Sequence, residues 1–474
     1  MKKIPLFLLF LLPALLAQSQ PSSQSKPLVF THVTVIDATG AAAKPDMTVV
    51  LTGERITEIG KSGKVRIPRE AQIVDATGKF LIPGLWDMHI HWYQKDYLPL
   101  FIANGVTGVR QMWGFPMHYE WRKEMGKGAL LGPRMNIASA IVDGPQPIHR
   151  GSIAVGNEAE ARQAVIKSKQ DGAEFIKVYS LLSREAYFAI ADEAKKQGIP
   201  FAGHVPRSVT AAEVSDVGQK SIEHLSGVAF ACSSREAELP ADLAELRKEV
   251  AAGANYLSLL RRLEAKHLDT YSEQKASALF ARFKQNATWQ VPTLTVLRGG
   301  AFLDDPNFTN DPRLKYLPAE IRARWEPKNN RVFQNSTAAD FASLKKVFAK
   351  QLQIVGEMRR AGVELLAGTD VLNPYCFPGF SLHDELALLV KAGLTPMEAL
   401  QAATRNPARY LGLLDSLGTV EKGKIADLVL LEANPLAEIS NTQKINAVIV
   451  GGKLIAKSEI EAMLAKVEAA ANKK

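Results

Sequence analysis

A chain of 474 residues with 46% hydrophobic and 23% charged side chains has a globular composition, and is long enough for one large barrel plus an accessory domain. Its formal charge of +9, or 9 − 2 = +7 without Lys2 and Lys3, is scattered over helical patterns beside Asp and Glu, which argues against a nucleic-acid partner. Two cysteines, Cys232 and Cys376, exclude a disulfide framework and a thiolate metal cluster, leaving one bridge or two separate thiols.

Residues 1–19 read as an export signal. Lys2 and Lys3 precede an apolar stretch, and small residues near Ala17 and Ser19 offer a cleavage site. The stretch holds Pro5 and Pro13 and falls short of the roughly 20 residues a spanning helix needs, an uncleaved anchor being the alternative. The mature protein is expected to be secreted or periplasmic, with no stable membrane span after signal removal.

Residues 28–37 and 47–59 alternate apolar and polar side chains, as do 425–431 and 447–455, which predicts short strands at both ends of the chain. Neither set has strands enough to bury a face alone. Segments 20–82 and 413–474 are therefore expected to form one small composite β-sandwich domain. Between them, in 83–412, strand-like runs end near His91, Gln111, Ile141, Tyr179, Val205, His224, Thr295 and Asp370. Helical patterns such as 158–170, 184–197 and 209–216 separate them. Repeated β-α units predict a (β/α)8 TIM barrel with its chemistry at the carboxyl ends of the strands. An open doubly wound sheet would want a Gly-rich phosphate turn after its first strand, and the sequence has none. Two helical insertions, near 234–286 and 297–360, stand beside the barrel as packing helices or lids.

Chemistry-bearing residues gather at these strand ends. His89 and His91 are two apart, so on a strand they share a face with Asp87 and offer two neutral nitrogens to one point. Lys177 interrupts the apolar run before Tyr179, where an ammonium is costly unless paired or neutralised. His204 and His224 occupy matching positions after the fifth and sixth runs, and Asp370 closes the eighth. Tyr179 and Arg207 are candidates for oxyanion or carboxylate contacts, and His149, in the turn-rich loop 143–150, for a substrate wall. Trp92 and Tyr93 are read as lining an apolar pocket. Glu223 is assigned to the strand face opposite His224, outside the site.

This constellation, with Pro83-Gly-Leu-Trp-Asp-Met-His-Ile-His91 at its head and Gly423-Lys-Ile-Ala-Asp-Leu-Val-Leu-Leu-Glu-Ala-Asn-Pro435 near its end, resembles the metal-dependent amidohydrolase superfamily over residues 28–455. The resemblance implies a distorted (β/α)8 barrel, a composite β domain and two divalent metal ions, usually Zn2+. It places His89, His91 and Asp370 on the buried metal and His204 and His224 on the more exposed one. Lys177, carboxylated by carbon dioxide, would bridge both. It further implies a hydroxide shared by the metals that attacks a polarised carbonyl, with Asp370 taking its proton and passing it to the leaving amine.

The strand-four lysine looks like the branch holding prolidases, other dipeptidases and aryl-amide hydrolases, although Pro206 stands where the dipeptidases often carry a tyrosine. The expected function is cleavage of amide bonds in short peptides or N-acyl amino acids, in a protein whose oligomeric state stays open. Two alternatives remain: a mononuclear deaminase or cyclic amide or ester hydrolase on the same fold, and a metal-free binding protein.

Overall fold

The computed structural model describes residues 26–330 and 332–473, so the export signal read at 1–19 lies outside the described residues. Among the described residues no helix is long and apolar enough to cross a membrane. The fold is α/β.

Both ends of the chain enter one sheet of eight strands. Across it run Lys453–Ala456, Ile445–Val450, Leu428–Leu431, Phe80–Pro83, Leu28–Val35, Lys44–Thr52 and Arg55–Lys61, with Gln72–Asp75 also paired to Leu28–Val35. Phe80–Pro83 is the joint, antiparallel to Leu428–Leu431 and parallel to Leu28–Val35. Alternation puts Leu28, Phe30, Val49, Leu51, Leu81, Leu428 and Leu430 into one dry cluster. Each fully buried side chain of this size contributes about 1.5–3 kcal/mol, enough collectively to hold the two ends together.

The central strands are parallel. Leu85–Ile90, Val106–Gln111 and Arg134–Ile137 form one sheet. Ile153–Ala154, Val142–Asp143, Ile176–Val178, Phe201–Gly203, Ser221–Glu223 and Trp289–Val291 form a second. Isolated parallel bridges join their edges: Ala138 to Phe175, Gln290 to Leu365 and Ile90 to Val371. Helices expected at 158–170 and 184–197 are found as Glu158–Gln170 and Arg184–Gln197, each opened by a side-chain cap, Asn157 or Ser183.

Several expectations are corrected. The seventh strand ends at Val291, not near Thr295, because Pro292 has no N–H to pair and Thr293 turns left-handed at φ 48° before the helix Leu294–Ala301. The eighth run forms no ladder, only the single bridges at Leu365 and Val371. It approaches His89 so closely that a Cβ on Gly368 would lie 2.8 Å from the His89 Cβ, so only glycine fits there. Trp92 lies buried in the core, with its ring against Tyr97 and Phe101. Cys232 and Cys376 are separate, buried thiols.

Candidate metal centre

His89 and His91 leave the end of Leu85–Ile90, and Asp370 meets them from the eighth run, tied by its N–H to the His89 carbonyl at 2.7 Å. Three donor atoms converge. His89 Nε2 is 3.2 Å from His91 Nε2 and 3.4 Å from Asp370 Oδ1, and His91 Nε2 is 3.2 Å from Asp370 Oδ1. Tetrahedral donors about 2.05 Å from one ion stand roughly 3.3 Å apart, so this spacing suits a single divalent metal. Asp370 Oδ1 is buried and has no hydrogen-bond partner among the described residues. Burial pushes the Asp370 carboxyl up, but His224 and His91 beside it pull it below the usual carboxylate range. His89, His224 and Asp370 also place donor atoms within 4.8 Å of one another, a second set able to hold a metal.

Burial holds three of the imidazoles, His89, His204 and His224, neutral, the form that coordinates metal. His89 and His204 are pushed well below the ordinary histidine value and His224 to about 4. Each ring is oriented through Nδ1: His89 to Glu223 Oε2 at 2.7 Å, His204 to Ser180 Oγ at 2.9 Å and His224 to Thr293 Oγ1 at 2.7 Å. Nε2 is thereby left for a ligand. His224 and Asp370 reach the site from left-handed backbone, φ 59° and 58°, a strained conformation for side-chain-bearing residues.

Lys177 is fully buried, and its Nζ has no hydrogen-bond partner among the described residues. Burial lowers its pKa to about 8, against the opposing pull of Glu223 and Asp370. Burial without a hydrogen bond makes the ammonium easier to deprotonate, and the amine it yields is nucleophilic.

The remaining residues assigned from sequence also gather here. Tyr179 lies ring to ring with His204 at 4.0 Å and pairs its Oη with His149 Nε2 at 2.9 Å. Arg207 lines the cavity that His204, His224 and Asp370 also line.

Glu223 requires a correction. It does not lie outside the site: it binds the His89 ring and is itself clamped by Arg110, whose Nη2 is 2.9 and 2.8 Å from its two oxygens. Arg110 also donates to Met88 O, Ser221 Oγ and Tyr410 Oη, so its buried charge is fully satisfied. Arginine within the apolar run Val106–Gln111 was the available signal for this pair. Asp87 accepts from Thr369 Oγ1 at 2.6 Å and from His89 N–H at 3.2 Å; burial raises it to about 7.

Histidine and aspartate donors meeting at the carboxyl ends of parallel strands in an α/β fold define a metal-capable hydrolase site. The chain belongs to the amidohydrolase family, whose model matches residues 80–455. It is 24% identical over 427 residues to the imidazolonepropionase of Pseudomonas paraeruginosa, covering 83% of this chain and 89% of that one. Its fold is similar to that of a bottromycin amidohydrolase, with a TM-score of 0.72, 24% identity and coverage of 94% of this chain and 90% of that one. It is also similar to the putative prolidase from Bifidobacterium longum, with a TM-score of 0.66, 23% identity and coverage of 94% and 99%.

Proposed function

We propose that this protein is an exported hydrolase of amide bonds in short peptides or N-acyl amino acids, acting through two divalent metal ions, with zinc the first choice. The observation that carries the reading is the convergence of His89, His91 and Asp370 at 3.2–3.4 Å beside the unpartnered Lys177. His89, His91 and Asp370 would hold one ion and His204 and His224 the other, with carboxylated Lys177 contributing an oxygen to each. Bound ions supply Lewis acidity and water activated near neutral pH.

The chain's own residues supply the rest. Asp370, whose Oδ1 faces His89 and His91 as a donor for the ion, has Oδ2 left to accept the proton of the attacking water and return it to the leaving nitrogen. Tyr179, whose phenol is held protonated by burial, is the neutral donor beside His204 for a developing oxyanion. This role requires that His149 Nε2–H donate to the Tyr179 oxygen, leaving the phenol O–H for the oxyanion. The ring of parallel strands joined at Ala138–Phe175, Gln290–Leu365 and Ile90–Val371 supports a distorted (β/α)8 barrel, and the shared eight-stranded sheet supports a composite domain from both ends of the chain. The basic and apolar leader supports export.

A second reading, cyclic amide hydrolysis, is favoured by the likeness to an imidazolonepropionase. The test is a panel of N-acyl amino acids, dipeptides, hydantoins and lactones, run beside metal analysis that should return about two ions per chain. Turnover of hydantoins alone would select the cyclic-amide reading, and turnover of lactones alone would overturn both.

A further inference from the structure

The candidate metal centre opens into a cavity of ≈ 300 Å³ whose far wall is built by the first helical insertion and the long helix of the second. Its lining is mostly apolar, with Val228, Phe230, Leu243, Leu260, Val296 and Val347 among the walls. Five charged side chains nevertheless line it: Arg207, three residues beyond His204, Arg261 and Glu264 from the helix Tyr256–Leu268, Glu236, which is paired with Lys275, and Asp370 of the candidate metal centre. Arg207 lies 4.5 Å over the Tyr256 ring, and its Nε and Nη1 are buried with no hydrogen-bond partner among the described residues. Arg261 rests 4.2 Å over Phe333. Glu264 is the carboxylate that attracts both guanidinium groups.

A buried guanidinium with unused donors is expensive, and its planar fork matches a carboxylate. The surrounding walls match an apolar side chain. On the amide-hydrolase reading given above, we infer that this cavity is the leaving-group subsite and takes an amino acid with a large aliphatic or aromatic side chain and a free carboxylate, held by Arg207. Asp370, which returns a proton to the leaving nitrogen, lines the same cavity, so the amine half of the substrate lies on this side. A cavity of this size is at the small end of ligand pockets and suits one residue rather than a long peptide. Arg261 and Glu264 share its charge: burial lowers both arginines to about 10 against the pull of Glu264, and raises Glu264 against the pull of both arginines.

The test is calorimetric binding of L-phenylalanine, L-phenylalaninamide and glycine to the holoenzyme, beside hydrolysis of N-acetyl-L-phenylalanine and its amide. Binding of phenylalanine at least tenfold tighter than of the other two is expected, with Arg207→Met abolishing the preference for the acid and Glu264→Gln strengthening it. Equal affinity for acid and amide, or a preference unchanged in both variants, overturns the inference. Preferential binding of the acid without hydrolysis of any amide leaves the subsite standing and sinks the hydrolase reading. Equal hydrolysis of acid and amide does the reverse.

Discussion

Glu223 Oε2 lies 2.7 Å from His89 Nδ1, with both side chains fully buried. Because Arg110 keeps Glu223 a pure acceptor, His89 must donate Nδ1–H and turn the lone pair of Nε2 toward His91 and Asp370. Glu223→Gln is expected to weaken metal binding about 10–100-fold, since the amide no longer enforces that tautomer. It also strands the Arg110 charge, a loss of roughly 3–5 kcal/mol for a broken buried pair. Chelator competition reads the first effect and thermal melting the second. A lowered melting point with unchanged metal affinity would reduce Glu223 to a structural role.

Thr293 performs the same service for His224 with a neutral group. Its hydroxyl is 2.8 Å from Pro292 O, to which it donates, so it accepts Nδ1–H of His224 at 2.7 Å and leaves Nε2 free. Thr293→Val preserves the shape and removes the acceptor. About tenfold weaker binding of the metal bound by His224 is expected, at a stability cost near 1 kcal/mol. Chelator titration that removes the two proposed ions in separate steps resolves it: only the step for the ion that His224 would hold should move.

Which of these features the sequence shows depends on whether they obey strand alternation. His89 and His91 still meet at one point, although the strand pairing slips between Asp87 and Ile90 and His91 lies just past the strand Leu85–Ile90. Alternation fails at Glu223. Ser221 and Glu223 share the inward face, both touching Arg110, but the chain leaves the strand at once with φ 59° at His224 and 55° at Leu225. His224 therefore swings back to the same mouth, and a rule that puts neighbours on opposite faces separates two residues that belong to one site. The cavity was illegible for another reason. Arg207, Tyr256 and Glu264 are distant in sequence, and only packing of the insertion against the strands brings them together. Parallel strands of three residues, such as Ile176–Val178, were still visible, because each follows a capped helix or a turn.

His383 supplies a pH prediction away from the metal centre. It is buried in the helix Phe380–Lys391, with Nε2 3.1 Å from Asn104 O and Nδ1 2.9 Å from Thr442 Oγ1, tying three segments together. Burial, only partly offset by Asp384, lowers its pKa from 6.5 to about 4. Below the unfolded value near 6.5 the unfolded chain takes up a proton that the folded chain refuses. Stability is therefore lost as pH falls from about 6.5 to about 4, by up to roughly 3 kcal/mol. Other buried histidines add the same trend, so the measurement is the difference between wild type and His383→Gln in denaturant titrations at pH 7 and 4.5. The wild type should lose more, and parallel losses would mean His383 is already charged in the folded protein.

Lys177 is tested by removing its nitrogen while keeping its bulk. The side chain is fully buried and makes no hydrogen bond among the described residues, so in the metal-free protein only the more distant Glu223 and Asp370 offset the cost of burying its charge. Lys177→Met should leave metal-free protein as stable as wild type or about 1–3 kcal/mol more stable. Metal content should fall by at least one ion per chain, with loss of activity, because methionine offers no oxygen to bridge two cations. The proposed carboxylation needs the free amine, and with a pKa of about 8 that form is a minority at pH 7 and the majority above pH 8. Metal uptake by stripped wild-type protein should accordingly be faster with bicarbonate at pH 8.5 than at pH 7, and in Lys177→Met it should ignore bicarbonate at both. Full metal content in Lys177→Met would show that the five remaining ligands suffice and that Lys177 bridges nothing.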